Sequence, residues 1–135
     1  MSTNQIRGKC FFVPSVALLL SACGAPRYAA CTTSMAEMPG VTYEFSAGDA
    51  TNGSPIFMSV AGREPTPDDK KIRTRLIRSW VAGHAPIGAT FSSWGSAKCA
   101  MERAGEFPGC DLLTVDLPSG EQMTFYFYAG NWYRG

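Results

Sequence analysis

The 135-residue chain holds a single histidine, His84, and no Cys-x-x-Cys pair. Structural zinc sites draw on closely spaced Cys and His ligands, so no metal centre is expected. There is no glycine-rich loop ending in Lys-Ser or Lys-Thr and no dinucleotide fingerprint, which argues against nucleotide cofactors. A serine-nucleophile site would have to use His84, yet no Gly-x-Ser-x-Gly elbow accompanies it. The acidic residues are dispersed, so a carboxylate pair would form only through the fold. Asp68 and Asp69 are explained by helix capping, and Asp116 points outward from a strand. Charge excess is missing too: 12 Lys plus Arg stand against 11 Asp plus Glu, for a net +1. Nucleic-acid binders carry a basic excess, and no such partner is expected. Nor does the apolar run at residues 11–20 reach the length needed to cross a hydrocarbon core of roughly 30 Å. These absences together point away from an enzyme and away from any cofactor.

What is present is concentrated at the N-terminus. Arg7 and Lys9 precede the apolar run, and Leu20-Ser21-Ala22-Cys23 closes it. A basic start, a short apolar segment and small residues before a cut compose a secretory signal. The closing residues resemble the lipobox of bacterial lipoproteins. That resemblance implies removal of residues 1–22, attachment of a diacylglycerol to the Cys23 thiol, and acylation of the new N-terminus by a chain such as palmitate. Gly24 follows, not the Asp that favours inner-membrane retention in enterobacteria, which implies the outer membrane and a periplasm-facing domain. Acyl chains contribute about 0.8 kcal/mol per buried CH₂, so two or three of them hold a small domain on a bilayer.

Export sets the redox context. Removal of Cys10 and lipidation of Cys23 leave Cys31, Cys99 and Cys110. Cys99 and Cys110 bracket Ala104-Gly105-Glu106-Phe107-Pro108-Gly109, which can reverse the chain, and they are the expected disulfide in an oxidising compartment. Cys31 is left either as a free thiol or paired between molecules.

The chain divides into a signal peptide at 1–22, a lipidated flexible tether at 23–40 and a single α+β domain at 41–135. The tether rests on Ala, Ser, Thr, Pro and Gly without apolar periodicity; Met35 and Met38 support the alternative of a docked segment. The domain reads as a small antiparallel sheet packed by one or two helices. Val41-Thr42-Tyr43-Glu44-Phe45 alternates apolar and polar as a half-buried strand does, and Ile56-Phe57-Met58-Ser59-Val60 is a second strand. Residues 48–53, despite their oxygen-bearing side chains, lack calcium-loop spacing and read as a turn. Thr66-Pro67-Asp68-Asp69 is a helix start, with Thr66 as N-cap and Pro67 at the first position. Ile72, Leu76, Ile77, Trp80 and Val81 form its apolar stripe, and Gly83 its stop. Lys70, Lys71, Arg73, Arg75 and Arg78 cover the other surface, a solvated face or one that meets anionic head groups. The three-residue spacing of Phe91 and Trp94 predicts a second helix from 87 or 88 to 94, ended by Gly95, with Trp80 and Trp94 both as core anchors. Residues 97–102 fit helix or strand. Residues 112–117 and 122–128 form a hairpin across Pro118-Ser119-Gly120-Glu121, and Asn131-Trp132-Tyr133-Arg134 caps the sheet.

Trp80-Val81-Ala82-Gly83, Ser93-Trp94-Gly95, the Ser119-Gly120 turn and the late Tyr126 and Tyr128 make residues 72–128 similar to a group of small proteobacterial outer-membrane lipoproteins with Trp-x-Gly and Trp-Gly-x-Pro segments. The helix-helix-sheet order is also similar to the small lipoprotein subunit of the outer-membrane β-barrel assembly machinery. The chain departs from that pattern in three ways: two residues, Val81 and Ala82, separate Trp80 from Gly83, Ala97 stands where the Pro belongs, and two strands precede the helices. The likeness implies an α+β lipoprotein domain. The expected role is a non-enzymatic binding or scaffold module of the cell envelope, tied to the membrane by its lipid and meeting an envelope protein through Tyr126 and Tyr128. The alternative is an inhibitor or immunity lipoprotein that uses the loop of Glu102 and Glu106 against a lytic enzyme or toxin; a third reading, a hydrolase, rests on His84.

Overall fold

The computed structural model describes residues 7–8, 26–99, 109–128 and 130–132. The strands are β1 (Arg7–Gly8), β2 (Cys31–Ser34), β3 (Tyr43–Phe45), β4 (Ile56–Val60), β5 (Thr90–Lys98), β6 (Gly109–Asp116) and β7 (Gln122–Tyr128). Two helices, α1 (Pro67–Lys71) and α2 (Arg73–His84), lie between β4 and β5. All strands join one sheet in the order β1-β2-β3-β4-β7-β6-β5. Every neighbouring pair is antiparallel except β4 and β7, which run parallel through Ile56↔Phe127 and Phe57↔Tyr128. A parallel pair needs a long crossover, and both helices and the β5–β6 hairpin lie within it.

This architecture corrects the expected α+β class. Strand accounts for 43% of the described residues and helix for 20%, so the fold is close to all-β, a mixed sheet with two short helices packed on it. Two misread segments account for the difference. The first is the expected helix at 87–94, where β5 runs instead. Pro86 and Gly88 precede it, and Gly88 has φ +90° with Pro118 Cγ only 2.8 Å from where a Cβ would stand. That backbone breaks any helix start. Thr90, Phe91 and Trp94 favour strand, and β6 offers them a continuous ladder from Thr90↔Asp116 to Lys98↔Gly109. A bulge between Phe91 and Ser93 carries Phe91 to Val115 and Trp94 to Leu113. It sets both aromatics on one face, so a three-residue spacing that mimics a helix arises in a strand. Gly95 is an interior strand residue and not a stop. Trp94 is 39% exposed and is not a core anchor.

The second misreading is the tether. Tyr28 pairs with Gly48 through both backbone hydrogen bonds, and β2 pairs with β3. Met35 and Met38 pack against the core, and Arg75 is ion-paired with Glu37. Residues 28–38 are therefore part of the folded body. Short polar residues concealed this, because β2 buries mainly Thr33 (3% exposed).

The helical start follows the sequence closely. Thr66 accepts from the Asp69 backbone N–H, and Asp69 accepts from the Thr66 N–H, a reciprocal capping box with Pro67 in the first turn. The helix is divided at Ile72, whose backbone (φ −100°, ψ 11°) leaves helical geometry. It continues past Gly83 to His84 and ends before Pro86. Ile72, Leu76, Ile77, Trp80 and Val81 are buried against Tyr43, Phe45, Ile56, Met58, Leu113, Val115, Phe125 and Phe127 from one face of the sheet. Trp132 is buried as well and donates its indole N–H to the Met58 carbonyl at 2.9 Å. The hairpin turn forms as read, with Gly120 at φ +95°.

Candidate interaction surfaces

Burial alternates along the central strands, so the sheet has two chemically different faces. On the helix face, Asp69 is fully buried. Its carboxylate accepts from Tyr43 Oη at 2.7 Å, from the Thr66 N–H at 2.8 Å and from Arg63 Nη1 at 2.5 Å. Burial alone would raise its pKa; the Arg63 guanidinium and the other donors outweigh that and hold it well below the usual carboxylate range. The same contact, added to burial, pushes the Tyr43 phenol up. Asp111 is the second buried carboxylate on this face, ion-paired with Arg73 Nε at 2.9 Å. Basic side chains of α1 and α2 thereby find partners within the molecule. Arg73 meets Asp111, Arg75 meets Glu37, Lys71 meets Asp68, and Arg78 lies over the Phe91 ring at 4.9 Å.

His84, the residue on which the hydrolase reading rests, is partly buried. It is the last residue of α2, stacked on Trp80 with ring centroids 3.9 Å apart and edge-on to Tyr28. Its Nδ1 lies 2.7 Å from the Trp80 carbonyl oxygen. A carbonyl only accepts, so the proton is on Nδ1. Burial lowers its pKa and favours the neutral ring. Residues 48–53 form the turn expected of them, closed by Thr51–Ser54 hydrogen bonds in both directions. Among the described residues, no group of three or more His, Cys, Asp or Glu is placed to hold a metal ion.

The opposite face carries a separate apolar cluster. Cys99, Cys110 and Tyr128 are buried there, with Phe57, Leu112 and Tyr126 packed around them. The Cys99–Cys110 disulfide is formed, as the sequence suggests. Tyr128 is only 4% exposed and rests on Phe57, with ring centroids 4.9 Å apart. Tyr126 is half-buried, and its backbone N–H donates to the Ala50 carbonyl. β7 is thus an interior strand, flanked by β4 and β6. Of the two tyrosines expected to meet a partner, Tyr126 offers a side chain on a sheet face, and Tyr128 is packing. Beside this cluster lies an open depression of about 500 Å³, lined by Thr32, Glu44, Ser46, Phe57 and Ser59 among others.

Among the described residues, β5 forms one end of the sheet. It ends the strand order, and all its residues but Gly95 are exposed. Phe91 (44%) and Trp94 (39%) are exposed on its helix-side face, and Ile87 is exposed just before it. The sequence signal that locates this surface is the run Thr90-Phe91-Ser92-Ser93-Trp94, β-prone and uncharged, which helical spacing obscured.

Cys23, Glu102 and Glu106 lie outside the described residues. Cys31 is disulfide-bonded, with a partner outside those residues; the expectation that it has no partner within the chain is corrected, β2 lying beside the N-terminal strand β1. No family model, curated protein or solved structure matches this chain.

Proposed function

We propose that the protein is an exported lipoprotein, lipidated at Cys23 and facing the periplasm from the outer membrane, whose domain serves as a non-enzymatic binding or scaffold module of the cell envelope. The observation that carries this reading is Leu20-Ser21-Ala22-Cys23 closing a short apolar run behind Arg7 and Lys9. The Cys99–Cys110 bridge supports it, because disulfides persist in oxidising compartments. His84, engaged with Trp80 and Tyr28, gives no support to a hydrolase.

The partner surface under this reading is the face bearing Phe57, Leu112 and Tyr126, where apolar side chains are only partly covered. Cys23→Ala is expected to abolish lipidation and membrane retention, while Tyr126→Ala is expected to keep both and lose capture of a specific envelope protein from detergent-solubilised membranes. Membrane retention of the Cys23→Ala variant contradicts the anchor; unchanged capture with Tyr126→Ala contradicts the surface.

A further inference from the structure

We propose that the depression on the sheet face opposite the helices, between Glu44 and Phe57, receives the basic side chain, arginine or lysine, of a protein partner. The inference rests on the reading of this face as the partner surface and deepens it, because Phe57 both lines the depression and packs on the apolar cluster. Strand register gives the depression its shape. Thr32, Glu44 and Ser59 stand side by side on β2, β3 and β4, and all three line it. Strand residues two apart share a face, so Ala30, Ser46 and Phe57 make up the next row. In that row Ala30 is short, and Ser46 Oγ is drawn to the backbone, accepting from the Phe57 N–H at 2.8 Å. These two small side chains leave a hollow of about 500 Å³ beside Glu44, within the size range of ligand sites.

Charge selects the occupant. Glu44 is the one charged residue of the described lining, and no Lys or Arg among the described residues is ion-paired with it. Ser59 Oγ donates to Glu44 Oε1 at 3.3 Å. A carboxylate offers about four lone-pair sites, so this one bond leaves capacity for a further donor. Phe57 and Ala30 supply apolar lining next to that charge. The combination suits a cation carried on an apolar stem, which is how lysine and arginine side chains are built. An anion would meet like charge at Glu44, and a wholly apolar group would cover the carboxylate without giving it a partner. A protein is the source that the setting favours, since a partner covering Phe57 reaches the depression and the Leu112 and Tyr126 side chains together. Opposite charge at such a contact adds specificity more than affinity.

The test is an NMR titration of the full-length protein in mild detergent with the capped tripeptides Gly-Arg-Gly, Gly-Lys-Gly and Gly-Gln-Gly, and with free arginine. Saturable shifts are expected at the backbone amides of Glu44, Ser46 and Ser59 with the arginine or the lysine peptide, and none with the glutamine peptide. Glu44→Gln is expected to weaken that binding about fivefold, the size of an exposed ion pair, and Glu44→Lys to abolish it. Because Glu44 is exposed, both variants should retain the circular dichroism spectrum of the parent. No response to either basic peptide, an equal response to the glutamine peptide, or unchanged affinity in Glu44→Gln overturns the inference. Free arginine that binds more tightly than the capped arginine peptide overturns it too, by making the depression an amino-acid site. The titration uses neither the captured envelope protein nor the lipid, so its failure leaves the Tyr126 surface and the lipidation of Cys23 to their own tests.

Discussion

Asp69 brings Tyr43, Arg63 and Thr66 to one buried carboxylate, joining β3, the loop after β4 and the start of α1. Asp69→Asn keeps the size and removes the charge that these donors serve. A loss of about 2 kcal/mol is expected in denaturant unfolding, since Arg63 retains access to water. The lowered carboxyl pKa also sets an acid limit. Its contribution is fully present above the unfolded-state value of about 4 and is lost as pH falls toward the native value. The parent should therefore lose stability below pH about 4 more steeply than Asp69→Asn; equal slopes would assign acid unfolding elsewhere. His84 acts in the same direction at higher pH. Its native pKa is lowered, so the unfolded chain takes up the proton first as pH drops below about 6.5 and stability declines from there. As the chain has one imidazole, its NMR titration is unambiguous, and a midpoint at or above 6.5 contradicts the buried, Nδ1-protonated ring.

At the level of elements, Arg73 of α2 and Asp111 of β6 form the ion pair that joins helix to sheet. Asp111→Ala leaves a cation at a mostly covered site and is expected to cost about 3 kcal/mol or more. The double change Arg73→Met with Asp111→Leu is expected to recover most of that, because apolar replacement of both partners of a buried pair is often neutral or stabilising. Unfolding curves of the two variants decide it, and equal losses would mean that the pair itself is the source of stability. How far such elements were legible in the sequence depended on whether local chemistry and tertiary pairing agreed. The Thr66–Asp69 cap, the α2 stripe and the β6–β7 hairpin were readable because propensity, periodicity and turn residues all pointed one way. β5 was not, since its bulge gives Phe91 and Trp94 a helix-like spacing. Nor were Asp69 and Asp111 readable as buried anchors. Asp111 precedes the strongly patterned part of β6, and its partner is thirty-eight residues away in α2.

For the whole molecule, the sheet face that binds the helices is closed by large side chains and two buried carboxylate centres. The other face and the β5 edge keep partly covered aromatics. Of the candidate surfaces, the sequence marked Tyr126 and the Cys99–Cys110 bridge but not the β5 end of the sheet. Edge status depends on strand order, and here one parallel pairing moves β7 inside the sheet. The envelope assignment rests on an N-terminal pattern independent of that order, and intact-mass analysis of the natively expressed protein tests it most directly. The account predicts a chain beginning at Cys23 and carrying a diacylglycerol, with or without a further acyl chain. A protein that retains residues 1–22 and bears no lipid on Cys23 would contradict it.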